Sequence, residues 1–229
     1  MVVDPLVYST FVGGGAGELE EPVAGVAVDA AGRALVAGQT NTTDFPVTVG
    51  AFQTSNAGGS TDLFVFRLSA DGSDLEWSTY LGGTNADYPY DIAVDSGGLA
   101  VVVGRTNSTD MPTTSGAYDT VHTGSDHEGF LLKLNAQGTG LVFSSYLGGN
   151  ATDELVAVAL DGTDGILVAG NTLSPDLPAS SGAAFENLTG FSFDAFVAKV
   201  RSDGSSVDAL TYLGGAKWDV ALSLDLDDQ

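Results

Sequence analysis

Val26-Ala27-Val28-Asp29 is written again as Ile92-Ala93-Val94-Asp95 and a third time as Val158-Ala159-Leu160-Asp161, each step being 66 residues. At the same pitch Val36-Ala37-Gly38 returns as Val102-Val103-Gly104 and Val168-Ala169-Gly170, and Asp44-Phe45-Pro46 as Asp110-Met111-Pro112 and Asp176-Leu177-Pro178. Such a pitch decides the architecture before any single residue does. Each copy is one supersecondary unit that hides its apolar faces against its neighbours. Features that recur in every copy are those the fold needs, so function has to be sought elsewhere.

Within the first copy, Val23 to Asp29 alternates. A short turn through Ala30-Ala31-Gly32 leads to Ala34-Leu35-Val36-Ala37, the second arm of a hairpin. Leu63-Phe64-Val65-Phe66-Arg67-Leu68 is a third β-rich run, Asp71-Gly72 a turn, and Leu75 to Leu81 a fourth run closed by Gly82-Gly83. We name these strands A, B, C and D. Both faces of the hairpin are apolar, which predicts a sheet covered on both sides. No stretch holds a 3.6-residue period with caps, so little helix is expected. Four antiparallel strands per unit, in tandem, read as the blades of a β-propeller. A β-solenoid would have shorter coils, and separate sandwiches would need more residues per unit. Small Ala27, Ala93 and Ala159 suit an innermost strand A. Phe64, Phe130 and Phe196, with Trp77 and Phe143, are expected between blades.

Tyr80-Leu81-Gly82-Gly83, Ile92-Ala93-Val94-Asp95, Asn107-Ser108-Thr109-Asp110-Met111-Pro112 and Gly50-Ala51-Phe52-Gln53-Thr54 resemble the SBBP family of β-propeller repeats. The resemblance implies a bladed propeller, as found within large secreted or surface proteins of bacteria and archaea, and no catalytic residues. The fold class expected is all-β: a β-propeller of four-stranded antiparallel blades, three of them full, with flanking strands, as an open arc or partial propeller. Its parts are strand D of a preceding blade over 5–14, blade one over 22–83, blade two over 88–149, blade three over 154–215, and strand A of a following blade over 218–226. The missing blades would come from the rest of a longer chain or from another copy. In the third copy, Gly182-Ala183-Ala184-Phe185 reads as carrying one extra residue before the aromatic that matches Phe52 and Tyr118.

Thirty acidic residues face seven basic ones, a formal charge of −23 over 229 residues. That sign disfavours nucleic acid and an anionic membrane surface as partners. It fits a chain screened by high salt, one that takes divalent cations on oxygen ligands, or a soluble extracellular surface. Only Lys133, Lys199 and Lys217 are lysines, which favours the salt reading. No cysteine is present, so no disulfide or thiol chemistry is available. No apolar run is long enough to span a membrane, and Met1-Val2-Val3-Asp4-Pro5 is no signal peptide.

No Ser-His-Asp set, phosphate loop or zinc motif stands out. Asp29, Asp95 and Asp161 end strand A, where they would shape turns. Asp161 with Asp164, and Asp225 with Asp227 and Asp228, are the densest acidic groups, and calcium is the cofactor they would take. His122 and His127, beside Asp126 and Glu128, have no counterparts in the other copies and are the remaining candidate metal ligands. Arg67, Lys133 and Lys199 share the end of strand C and would pair with Asp44, Asp110 and Asp176. The long B-to-C link is pinned by Phe45, Met111 and Leu177, and by Phe52, Tyr118 and Phe185. Asn41, Asn107, Asn150 and Asn187 head N-x-[ST] glycosylation acceptors. The expected function is a non-enzymatic propeller module of a secreted or cell-surface protein, a scaffold or adhesive platform for a surface protein or polysaccharide. The alternatives are a calcium-dependent structural module and a propeller enzyme, hydrolase or lyase, acting at the central channel.

Overall fold

A computed structural model describes residues 8–15, 21–190 and 192–227. Among the described residues there are twelve strands and no helix. β1 (Val23–Val28), β2 (Ala34–Thr40), β3 (Asp62–Leu68) and β4 (Leu75–Leu81) form one sheet. β5 (Asp87–Val94), β6 (Ala100–Thr106), β7 (Glu128–Leu134) and β8 (Leu141–Leu147) form the second. β9 (Asp153–Leu160), β10 (Ile166–Thr172), β11 (Asp194–Val200) and β12 (Val207–Leu213) form the third. Every pairing is antiparallel and follows chain order, so each sheet is an A-B-C-D meander.

This meander creates two rims. Strands A and C end at the rim that carries the tight A–B and C–D turns. Strand B ends, and A and C begin, at the opposite rim, which also carries the B-to-C links. Each sheet approaches its neighbour most closely through strand A: β1 lies against β5 and β5 against β9. The three sheets thus stand as propeller blades in an open fan, with strand A innermost.

The cores lie between the blades. Leu35, Val65 and Trp77 of the first blade meet Ile92, Val102, Phe130 and Leu132 of the second. Val101, Leu131 and Phe143 of the second meet Leu155, Val158, Val168 and Phe196 of the third. Phe130, Phe196, Trp77 and Phe143 are therefore buried between blades, as their apolar bulk demands. Phe64 is buried too, on the free face of the first blade with Phe45, Phe66 and Tyr80, covered in part by Tyr8 and Val12. Trp77 and Phe143 each meet a glycine of the next blade's C–D turn. Gly138 (φ 65°) sits on Trp77 and Gly204 (φ 71°) on Phe143, so a side chain there would both strain the turn and strike the ring.

The two end faces show the same interface without its second half. Val26 is 63% exposed where Ile92 and Val158 at the same repeat position are 5% and 6% exposed. Leu213 is 41% exposed where Leu81 and Leu147 are buried. Ala209, at the position of Trp77 and Phe143, lines an open cleft of about 350 Å³ with Leu167 and Val197.

The flanking strands expected over 5–14 and 218–226 are not formed. Residues 8–14 and 218–226 join no ladder, because among the described residues no strand C lies beside the first and no strand B beside the second to pair with them; residues 5–7 lie outside the described part. Both segments still keep the placement of the repeat. Tyr8 lies on Gly72 as Trp77 lies on Gly138. Gly215 N–H donates to Asp219 as Gly83 donates to Asp87 and Gly149 to Asp153.

The B-to-C link is fixed by one buried hydroxyl per blade. Tyr146 Oη accepts the Met111 N–H at 3.2 Å and donates to Ser108 O at 2.7 Å. Tyr80 does the same for Phe45 and Thr42, and Tyr212 for Leu177 and Ser174. Tyr146→Phe strands a buried donor and a buried acceptor, so we expect a loss of about 1–3 kcal/mol in urea unfolding; a loss below about 0.5 kcal/mol would show the link to be held by packing alone. Phe45, Met111 and Leu177 are buried as anchors. Phe185 is not their companion. Its N–H donates to Thr211 Oγ1, the bond made by Gln53 to Thr79 and by Asp119 to Ser145. Counted by 66, Phe185 matches Gln53 and Asp119, Ala184 matches Phe52 and Tyr118, and the third link carries no extra residue.

Candidate functional site

Most polar side chains on the link rim repeat, and these latch one blade to the next. Asp87, wholly buried at the start of β5, accepts the Gly83 N–H at 2.8 Å and the hydroxyls of Thr106 and Ser108. Asp153 does the same for Gly149, Thr172 and Ser174, and Glu21 for Gly14, Thr40 and Thr42. Burial pushes the Asp87 and Asp153 carboxyls above the ordinary range despite these donors. A second buried acid starts strand C. Asp62 accepts the Ala57 N–H, Glu128 the Thr123 and Gly124 N–H groups, and Asp194 the Thr189 N–H. Burial pushes both Asp62 and Glu128 up to about 7, and neighbouring carboxylates add to it. Asp44, Asp110 and Asp176 accept the N–H of Gly15, Thr84 and Asn150, the residues just after the paired glycines.

Those last three bonds correct the expected ion pairs. The cations of strand C do not meet Asp44, Asp110 and Asp176, because the link leaves from the rim opposite the end of strand C. Lys133 instead pairs with Asp95 at 2.6 Å and Lys199 with Asp161 at 2.9 Å, at the shared end of strands A and C. In the first blade Arg33 takes Asp29 at 2.7 Å, and Arg67 turns to Glu76 at 2.7 Å.

The candidate metal ligands do not converge, and among the described residues no group of three His, Cys, Asp or Glu could hold an ion. Asp161 caps its own turn through Thr163 and Gly165 besides holding Lys199, and these bonds keep its carboxyl low. Asp164, at φ 59°, reaches across to the N–H and hydroxyl of Ser96 in the preceding blade. Asp225 accepts its neighbour's N–H at Leu226, and it and Asp227 lie exposed on the final segment; Asp228 is outside the described residues. His122 stands edge-on to Tyr146, its Nδ1 3.7 Å from Glu128. His127 contacts Arg105 and Asp126. Burial, then the Arg105 charge, holds the His127 imidazole below its usual value. Of the glycosylation acceptors, Asn150 and Asn187 are exposed, Asn41 is half-buried, and Asn107 donates to the Asp126 carbonyl.

A different set of residues on the same rim does not repeat. Strand A carries a β-bulge in every blade, and the residue left out of register is Ala24, Tyr90 or Val156. A bulge re-aims the side chain it carries, and here it points Tyr90 towards the third blade. The Tyr90 hydroxyl donates to Glu154 Oε2 at 3.3 Å, and Asn171 Nδ2 donates to Glu154 Oε1 at 2.9 Å. Arg105 Nη1 lies 3.7 Å from Glu154 and the guanidinium carbon sits 4.9 Å from the Tyr88 ring centre and 5.9 Å from that of Tyr90, while the buried Arg105 Nε–H has no hydrogen-bond acceptor among the described residues. Burial and then the Glu154 charge push the Tyr90 phenol up to about 12.

Tyr90, Glu154, Val156, Asn171, Phe193, Trp218 and Leu222 line a cleft of about 490 Å³. The Phe193 and Trp218 rings are 6.0 Å apart and tilted by 48°. Trp218 is placed by the bonds Asp219 N–H to Phe193 O and Gly215 N–H to Asp219, the pair that also positions Asp87 and Asp153. Ala221 N–H donates to Asn171 Oδ1 at 2.7 Å, so Asn171 is held on both of its amide atoms. His122 and His127, the unique residues that stand out in the sequence, do not line this cleft, and the residues that do match no motif. The available signal was non-recurrence at fixed repeat positions: Ala24, Tyr90, Val156; Gln39, Arg105, Asn171; Thr61, His127, Phe193.

Residues 76–111, from strand D of the first blade to the start of the second link, match the SBBP beta-propeller repeat family. The other two copies of that stretch follow from the 66-residue pitch. No curated protein matches the chain. No helix among the described residues is long and apolar enough to cross a membrane.

Proposed function

We propose that this chain is a non-enzymatic β-propeller repeat module that serves as a binding platform in a secreted or cell-surface protein. The observation that carries this reading is the contrast on the link rim. Positions that hold blades together are copied from blade to blade, while those lining the 490 Å³ cleft differ in every blade. Its size is that of a small-ligand site. Its one carboxylate, Glu154, is engaged by Asn171, Tyr90 and Arg105, and no nucleophile and base face each other across it. The acidic surface fits a saline or extracellular setting. The two open end faces, each one half of the interblade interface, favour further blades as partners, from a longer chain or another copy.

A fragment screen followed by amide chemical shifts tests the platform reading. We expect shifts to concentrate on Tyr90, Glu154, Asn171 and the 215–222 segment. Hits that gather only on the end faces, or none at all, would overturn it.

A further inference from the structure

Resting on the platform reading, we propose that the cleft between Tyr90 and Trp218 binds a neutral hexopyranose unit of an oligo- or polysaccharide. Three observations select that chemistry. The first is the surface offered. Tyr90, Phe193 and Trp218 line one cleft, and Trp218 is 71% exposed although no repeat position calls for an aromatic there: Glu20, Ala86 and Thr152 are its counterparts. An exposed indole next to Asp219, whose N–H donates to Phe193 O and whose carboxylate accepts the Gly215 N–H, is a stacking platform for a ligand with one flat apolar face. The C–H face of a pyranose is such a surface.

The second is the polar edge. Glu154 and Asn171 line the same cleft as the rings and are joined at 2.9 Å, and the Tyr90 hydroxyl donates to the other Glu154 oxygen. Glu154, its side chain 20% exposed, keeps lone pairs beyond these bonds, while Asn171, 4% exposed and bonded through both amide atoms, fixes the carboxylate in place. A planar carboxylate can accept from two hydroxyls on adjacent ring carbons.

The third is charge. A cation held by aromatic rings would want an uncompensated carboxylate, but Glu154 already faces Arg105 at 3.7 Å. An anion would have to approach a chain of formal charge −23 and compete with Glu154 for the only guanidinium at the cleft. A neutral polyhydroxyl ligand meets neither obstacle, and its exchange of water for ring and side-chain contacts needs no counterion.

The chain has two tryptophans, Trp77 buried and Trp218 exposed, so Trp77→Phe leaves Trp218 as the sole tryptophan, read selectively by excitation at the red edge where tyrosine does not absorb. Phe143 occupies the same position in the second blade, which makes this substitution compatible with the interface. Titrating that variant with cellotetraose, mannotetraose and galactotetraose, we expect at least one to give a saturable blue shift and quench. By calorimetry on the otherwise wild-type chain, Trp218→Ala should weaken the same binding at least tenfold, and Tyr90→Phe, which keeps the ring, by less. No saturable response to any of the three sugars, or equal affinity in Trp218→Ala, overturns the saccharide assignment. Saturation of Trp218 by choline or by an apolar peptide without any response to sugars also overturns it, yet leaves the platform reading intact. Absence of any fragment at the cleft removes both.

Discussion

Phe143→Ala is expected to cost about 3–5 kcal/mol, because the ring is 2% exposed and its loss opens a cavity between two rigid sheets. For a chain of this size that corresponds to a fall of roughly 8–15 °C in melting temperature. The ring bears on Val101, Leu131 and the Gly204 turn, so the damage falls on the second interface and the third blade should loosen first. In a stack of nearest-neighbour units, that appears as a melt no longer coincident when followed by different probes. The chain contains its own control. Ala209 holds the same repeat position on a face no blade covers, and Ala209→Phe should shift stability by less than about 0.5 kcal/mol. Urea unfolding of both variants decides it. A loss under about 1 kcal/mol for Phe143→Ala would mean that the blades stand independently.

Mild acid is expected to stabilise the fold. Asp62 and Glu128 are held at about 7 in the folded chain, against about 4 when unfolded. The folded state therefore binds protons that the unfolded state has released. The associated stability is complete below about pH 4 and is lost as pH rises through about 7. Between those limits each group contributes a slope of about 1.4 kcal/mol per pH unit, so together they are worth about 3–5 kcal/mol between pH 7 and pH 5. Asp87 and Asp153, also raised, act in the same sense. His127, whose folded value is lowered, acts in the opposite sense below about pH 6.5. Relief of charge repulsion would also favour acid, so the variant Asp62→Asn with Glu128→Gln separates the two. It should be more stable than the parent at pH 8 and lose most of the slope between pH 5 and 7. A parent whose melting temperature stays level or falls from pH 8 to pH 5.5, or a double variant that keeps the full slope, would contradict the assignment of these two acids.

The blades could be read from the sequence because two signals of different kind agree there. The 66-residue pitch marks the copies, and alternation inside each copy marks strands A to D. What stayed hidden depended on where strand ends lie in space. Lys133 and Asp110 are near in sequence, but a meander sends the end of strand B and the end of strand C to opposite rims, so Lys133 finds Asp95 instead. Phe185 departs from its expected place because Ala184-Phe185 looks like Ala51-Phe52 in letters, while the backbone counts by 66 and gives Phe185 the bond to Thr211. The cleft was hidden for the opposite reason. Tyr90, Arg105, Glu154 and Trp218 match no motif and no other copy, and only the bulge in β5 and the third blade bring them together.

The latch at each junction has one half at the end of a unit and the other at the beginning of the next: a pair of glycines, then an acid, a threonine and a serine or threonine. Every period thus ends with a plug and starts with a socket of the same gauge. Excising residues 87–152 would bring Gly83 to Asp153 in the setting it now has with Asp87, and duplicating them would do the reverse. Unequal crossing-over between such copies lengthens or shortens the array without inventing an interface. The number of blades is then free to drift in descent, while the 490 Å³ cleft, assembled from two neighbouring copies and the start of a third, survives only where those particular copies stay in order.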